Sequence, residues 1–195
     1  MTAVYATITF FMLSIMKRDR ERKVIVRIVK DALIPIIDNL KEDIRLLNKI
    51  NIDSFPNFLD MKFGIYSRHL EGDSFNRFAA RRYILKWRLF KYNKLCDEIN
   101  GIIDGLKTEA LDKKIITIIT NGNGTRCTIA EQYEDNNITE ILKNAGLSNT
   151  INDIVNAVNK KKLYDKAEKL NKKLGEIKEK YIYKYYMTEE EWENW

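Results

Sequence analysis

Residues 3–16 read AVYATITFFMLSIM, fourteen positions without a charged side chain, and residues 17–23 follow as KRDRERK. Five of those seven residues are basic: Lys17, Arg18, Arg20, Arg22 and Lys23. An apolar run that ends in a basic cluster is typical of a membrane helix whose positive flank stays in the cytoplasm. The pattern therefore predicts a single-pass membrane protein, anchored by residues 1–16, with the bulk of the chain in the cytoplasm.

The apolar run is short for a membrane anchor. Sixteen helical residues rise about 24 Å, whereas the hydrocarbon layer is about 30 Å thick and usually takes about 17 to 25 residues. Lys17 and Arg18 can cover part of the difference, because their apolar stems let the charges reach the headgroups. Two alternatives are a helix buried in a bundle or oligomer core and a cleaved signal peptide. The signal peptide is disfavoured, because the basic residues follow the apolar run instead of preceding it.

The composition favours a helical fold with acidic partners. The chain of 195 residues is 45% hydrophobic and 32% charged, as in folded proteins, and it has only two prolines and eight glycines. Few helix breakers favour long helices over a loop-rich β fold. The net charge of +6 makes anionic lipid headgroups or nucleic acid natural partners.

The residues that usually carry catalysis or bind metals are scarce. The chain has one histidine, His69, and two cysteines, Cys96 and Cys127, without the spacing of a zinc site. None of the common hydrolase, metalloprotease or nucleotide-binding motifs occurs, and no motif identifies a protein family. We therefore expect no metal, no cofactor and no enzymatic activity.

Residues 17–50 predict a juxtamembrane amphipathic helix that continues from the anchor. Their apolar side chains recur every three or four positions, as on one face of a helix. This stripe consists of Val26, Val29, Leu33, Ile37, Leu40, Ile44 and Leu47. Pro35 interrupts the run, so we expect a kink or the start of a second helix there.

The strongest helical pattern in the remaining domain, residues 51–195, covers residues 75–106. Between residues 77 and 94 it has seven basic side chains, no acidic one and several aromatics. At about 100° per residue, one side of such a helix presents Arg77, Arg81, Arg88 and Lys91. This basic face would be solvated on a core helix, lie on anionic lipid or a protein partner, or bind nucleic acid. We rank nucleic acid below lipid, because no nucleic-acid-binding motif accompanies the basic residues.

Residues 113–130 predict a β-hairpin inserted among the helices. The β-branched run KKIITIIT is followed by NGNG and by a second short run, TRCTIA. Asn and Gly accept the positive φ angles of a tight hairpin turn at little cost. The competing interpretation extends the preceding helix through Ile119 and ends it at Asn121 and Gly122.

Residues 148–186 predict a last long helix, whose heptad phase shifts at residues 160–162. Beyond it, Trp192 and Trp195 would either clip the end of the chain onto the bundle or dock on a partner. We favour packing within the chain, because exposed tryptophan without a function is rare.

Together these patterns predict a mainly α fold: one membrane helix and a cytoplasmic bundle of long, amphipathic, coiled-coil-like helices with a small hairpin. We expect a membrane-anchored interaction or scaffold protein that self-associates or binds a protein partner, with anionic lipid as a further contact. The alternative is a soluble basic helical protein that binds nucleic acid, with its N-terminal helix buried in a bundle or oligomer core.

Overall fold

The computed structural model describes residues 2–50, 55–122, 124–134 and 136–185. The described helices are α1 (Thr2–Ile28), α2 (Ile34–Leu47), α3 (Ser67–Glu71), α4 (Asp73–Ala79), α5 (Tyr83–Asp112), α6 (Ile138–Asn144), α7 (Leu147–Lys160) and α8 (Leu163–Lys184). Strands β1 (Ile116–Asn121) and β2 (Gly124–Ile129) form an antiparallel pair, and short 3-10 helices cover Asn57–Asp60 and Glu131–Tyr133. The prediction of a mainly α fold with a small hairpin within residues 113–130 is confirmed.

α1 and α2 are joined without a loop by one π-helical turn, Val29–Leu33. In this turn the amide of Ile34 donates to the carbonyl of Val29, five residues earlier. Pro35 accounts for the wider turn, because it has no amide hydrogen and its ring would clash with the carbonyl four residues before it. The irregularity predicted at Pro35 therefore takes the form of a π turn inside one long helical rod.

α1 begins in the apolar run at Thr2 and continues through the whole basic cluster to Ile28. The apolar and the basic residues thus share one uninterrupted helix. No helix in the described ranges combines the length and the hydrophobicity needed to cross a membrane.

The basic stretch at residues 77–94 belongs to two helices rather than one. α4 ends at Ala79 and α5 begins at Tyr83, with Arg82 between them outside helical geometry (φ −138°). The Arg82 guanidinium donates to the Phe78 carbonyl (2.9 Å) and so satisfies an acceptor that the ending helix leaves free. This capping stabilises the break that the periodicity did not indicate.

Residues 148–186 are likewise interrupted. α7 ends at Lys160 and α8 begins at Leu163, with Lys162 in the left-handed region (φ 50°). An uninterrupted helix would carry one of the two out-of-phase apolar stripes away from the core. The predicted phase shift therefore marks a break that lets both helices bury their apolar faces.

The core lies where α2, α5, α7 and α8 meet. Among the described residues, the most extensive contact between two helices is that of α2 with α8. Side chains that recur at helical spacing form it, as amphipathic helices require. Its fully buried members include Leu33, Ile36, Leu40, Leu89, Ile99, Ile103, Leu106, Ile151, Ile154, Leu163, Ala167 and Leu174.

The hairpin is attached to the helices through Asp60. One oxygen of this carboxylate accepts from the Cys127 amide (2.7 Å) and the other from Lys107 of α5 (2.8 Å). Isolated two-stranded hairpins are marginally stable, so these contacts and the buried Cys127 side chain hold it in place. The carboxylate of Asp60 has a lowered pKa, because the bonds from Lys107 and Cys127 outweigh its partial burial.

An extended segment, residues 61–66, lies between α2 and α5, and side chains of these helices bind its backbone. The amides of Phe63 and Ile65 donate to the side-chain oxygens of Asn100 (2.9 Å) and Asn93 (2.6 Å). The amide of Gly64 donates to both carboxylate oxygens of Asp43 (3.0 and 3.1 Å). The segment has no secondary structure of its own, so these side chains replace a ladder of backbone bonds.

Asp43 is the charged side chain at the centre of this arrangement, and only 2% of its surface is exposed. Its Oδ2 atom also accepts a hydrogen bond from the Tyr92 hydroxyl (2.7 Å). Burial raises the pKa of Asp43 to about 6, although the bonds from Tyr92 and Gly64 favour the ionised form. Burial also raises the pKa of Tyr92, so its hydroxyl stays a donor.

Gly64 cannot be replaced without strain, and we predict that Gly64→Ala destabilises the fold. Its φ angle is +112°, and an added Cβ would lie 2.7 Å from Oδ1 of Asn93. We expect a loss of about 2 kcal/mol or more of unfolding free energy, measured by urea denaturation.

Gly101→Ala is the matched control, because Gly101 is exposed on α5 and a Cβ there meets no atom within 4 Å. It should stabilise the protein by about 0.5 to 1 kcal/mol, since alanine is the better helix former. Equal effects of the two substitutions would contradict the arrangement described for residues 61–66.

Asp43 should make stability depend on pH. Its pKa is about 6 in the fold against an ordinary 3.8, so the fold binds its proton more tightly than the unfolded chain does. This group's contribution to stability is therefore greatest below its unfolded pKa and falls as the pH rises from about 4 to about 6. Asp43→Asn removes the titration, so wild type should lose on the order of 2 to 3 kcal/mol relative to this variant over that range.

Urea denaturation of both proteins between about pH 4 and pH 7 measures this difference. Comparing the variant with wild type at each pH cancels the titration of all other groups. A stability difference that stays constant over the range would show that Asp43 is ionised throughout.

Candidate functional site

The N-terminal part of α1 has no covering partner among the described residues. All side chains of residues 5–20 are exposed, and that of Phe10 is 75% exposed. Large apolar members of this exposed surface are Tyr5, Ile8, Phe10, Phe11, Met12, Leu13, Ile15 and Met16. An exposed apolar surface of this kind is typical of sites that contact a protein or lipid partner.

Two hydroxyl groups within this apolar surface are bonded to the helix itself. Thr9 donates to the carbonyl of Tyr5 and Ser14 to the carbonyl of Phe11, each at 2.8 Å. Hydroxyls bonded in this way cost less to transfer into an apolar environment than free ones.

The predicted flank of Lys17, Arg18, Arg20, Arg22 and Lys23 lies between this apolar surface and the bundle. Lys23 pairs with Asp19 (3.1 Å). The end of α8 meets α1 here, where Tyr185 lines a cavity with Arg20, Glu21, Val24 and Ile25. The basic cluster is therefore at the point where α1 enters the folded part.

A second unusual surface is the groove between the first half of α5 and α8, which we call the α5–α8 groove. It consists of two adjoining cavities of about 330 and 940 Å³, which share Leu85, Arg88, Lys169 and Lys173. Its apolar floor includes Leu85, Tyr92, Leu170, Ile177 and Tyr181. Trp87, 60% exposed, forms part of its wall on α5.

The rim of the groove is strongly basic. Its cationic residues are Arg82, Arg88, Lys91, Lys166, Lys169, Lys173, Lys180 and Lys184. Glu176 is the only acidic residue that lines it among the described part of the chain, and it pairs with Lys173 (3.2 Å). The groove therefore has a large net positive charge above an apolar floor.

The cations of the groove are close enough to repel one another. Partial burial and the charge of Lys91 lower the pKa of Lys166, and Lys161 and Lys162 add to the effect. The Lys91 ammonium lies over the Trp87 ring, 4.8 Å from its centre. Arg82 lies over the ring of Tyr181, 5.3 Å from its centre, and so connects the start of α5 with the end of α8. An anion in the groove would relieve this repulsion.

The structure separates the four residues that the sequence placed on one basic face. Arg88 and Lys91 line the α5–α8 groove, whereas Arg77 belongs to α4 and Arg81 to the connection before α5. The break at Arg82 is the reason, because it changes the helical phase between the two pairs. Trp192 and Trp195 lie outside the described residues.

Sequence reasoning missed the contribution of α8. The sequence analysis did not single out its lysines, yet Lys166, Lys169, Lys173, Lys180 and Lys184 line the groove. Their spacing of three, four, seven and four residues places them on one face of a helix, a signal that was present. What the spacing could not indicate was that this face lies beside Arg88 and Lys91.

Comparison with known proteins does not indicate a function, so the function is inferred from the geometry of these surfaces. No family model matches the chain, and neither a curated protein nor a solved structure matches it. Within the described ranges, no group of three or more histidine, cysteine or acidic side chains could hold a metal ion.

Proposed function

We propose that this chain is a membrane-anchored helical interaction protein, held at the lipid surface by α1. The observation that carries the proposal is the exposed apolar surface of residues 5–16, which is followed directly by the basic cluster. The bundle is the interaction module, placed on the cytoplasmic side by the positive flank.

The energetics favour lipid as the environment of this surface. Burying one large apolar side chain contributes about 1.5 to 3 kcal/mol, so eight of them together provide on the order of 10 kcal/mol even when only partly buried. This exceeds the free energy of a single myristoyl anchor, whose binding constant is about 10⁴ M⁻¹. Each basic residue near an anionic surface adds about 1 kcal/mol.

The depth of insertion follows from the length of the apolar run. Residues 3–16 cover less than the full hydrocarbon thickness, so the stems of Lys17 and Arg18 extend the apolar length. Local thinning of the bilayer contributes the rest.

The folded part fits an interaction role. The α5–α8 groove combines an apolar floor with a charged rim. Interfaces of this kind obtain affinity from the floor and specificity from the rim.

The alternative to lipid is a second copy of the chain, whose α1 would cover the apolar surface of the first by self-association.

We predict that the full-length protein floats with vesicles of phosphatidylcholine and phosphatidylserine. In the double variant Phe10→Glu/Leu13→Glu, partition should fall at least about a hundredfold, because each charge in the apolar layer costs about 2.5 to 3.5 kcal/mol. Flotation through a density gradient measures the bound fraction.

Ile118→Glu/Ile119→Glu is the matched control, because both isoleucines are exposed on β1, outside α1. This variant should float like wild type. Wild type could instead fail to bind vesicles and form oligomers, while Phe10→Glu/Leu13→Glu is monomeric. In that case the surface serves self-association and the membrane proposal is wrong.

Nucleic-acid binding is the second candidate, and the eight cations and exposed Trp87 of the α5–α8 groove favour it. Under this alternative, affinity for a labelled single-stranded oligonucleotide falls steeply with salt, with a slope of about −0.7 per phosphate contact. Lys169→Glu/Lys173→Glu should then abolish the gel shift. Under the preferred function, wild type gives no salt-sensitive shift.

A further inference from the structure

The chain contains a segment whose chemistry complements the α5–α8 groove. Residues 186–195 read YMTEEEWENW, with four glutamates, two tryptophans and one methionine. They follow directly after Tyr185, the residue next to the end of α8 at Lys184. We propose that the α5–α8 groove binds this acidic, aromatic segment of its own chain. The proposal does not depend on the membrane anchor.

Charge is the first argument for this occupant. The groove has eight cationic side chains and one acidic one, which is already paired with Lys173. Glu189, Glu190, Glu191 and Glu193 would offset four of these cations. Residues 186–195 contain no basic residue, so no side chain of the segment would be repelled by the basic rim.

The apolar floor is the second argument. Leu85, Leu170 and Ile177 offer aliphatic surface between the two charged rims. Tryptophan is the side chain that most often anchors a peptide in such a groove, because it buries a large area with few rotatable bonds. Lysine and arginine along the rim also attract the faces of indole rings. A polyanion without apolar groups would leave this floor uncovered.

Reach is the third argument. Lys180, Tyr181 and Lys184 line one end of the groove, next to Tyr185. From Tyr185 back to Lys173 the axis of α8 measures about 18 Å, at about 1.5 Å per residue. The seven residues from Tyr185 to Trp192 span up to about 23 Å when extended. Trp192 can therefore reach the level of Lys173, which lines both cavities of the groove, and the short tether gives an effective concentration of about millimolar or higher.

Added salt would weaken the contact between the segment and the rim, because the rim is exposed and its charges are screened over about 8 Å at physiological ionic strength.

The test is zero-length crosslinking of the full-length protein in neutral detergent with a carbodiimide, which joins carboxylates to amines in contact. We expect Glu189, Glu190 and Glu191 to crosslink mainly to Lys169, Lys173 and Lys180. Lys172 is the internal control, because it is exposed on the same helix but does not line the groove. Mass spectrometry of the peptides should give at least about a tenfold preference for the groove lysines, as tethered contact at millimolar effective concentration implies.

Charge-swapped variants test the contact directly. Lys169→Glu/Lys173→Glu should lower the crosslinks to the remaining groove lysines about tenfold, because each exposed ion pair contributes a factor of about five or less. Combining it with Glu189→Lys/Glu190→Lys should restore crosslinking in the reverse sense, between the new lysines and the new glutamates. Lys160→Glu/Lys172→Glu, with the same change in net charge outside the groove, should leave the wild-type pattern intact.

Three results would overturn the proposal. One is an equal yield of crosslinks to Lys172 and to the groove lysines. Another is crosslinking between chains in a mixture of isotope-labelled and unlabelled protein, which would assign the segment to a second copy. The third is loss of oligonucleotide binding in Lys169→Glu/Lys173→Glu with unchanged crosslinks to the remaining groove lysines, which would make the groove a nucleic-acid site.

Discussion

The buried carboxylate of Asp43 is the contact on which the arrangement of the bundle depends. It lies on α2, accepts the Gly64 amide from the extended segment and accepts the Tyr92 hydroxyl from α5. A buried polar group without partners would be costly, so three parts of the chain are held to one another at this point. Tyr92 also lines the α5–α8 groove, so the same contact positions part of the floor of the candidate site.

The fold leaves two surfaces without a complementary partner among the described residues. One is apolar, on the exposed half of α1, and the other is basic, in the groove between α5 and α8. Apolar side chains in water and like charges held close together both reduce the stability of an isolated chain. The proposed partners are complementary to these surfaces: lipid to the first and the acidic segment of residues 186–195 to the second. The basic cluster of α1 and the end of α8 meet near Tyr185, between the two surfaces.

Polar contacts hold the backbone of residues 61–66 between α2 and α5. Asn93 and Asn100 bind the amides on either side of Gly64, and the positive φ of Gly64 brings its own amide to Asp43. In the sequence, asparagines at such positions of a helical pattern indicate only an ordinary polar surface. Their role depends on a backbone that comes from another part of the chain, which periodicity does not describe.

The sequence alone determined the mainly α class, the hairpin at residues 113–130 and the apolar and basic halves of α1, because these follow from local periodicity, turn chemistry and composition. Only the tertiary structure decided the break at Arg82, and only it showed that the phase shift at residues 160–162 is a break at Lys162, since each depends on which partner its helix packs against. It also decided that lysines of α8 stand beside Arg88 and Lys91. Those residues are separated by some eighty positions in the chain, and such a distance is closed only by burial of the shared core.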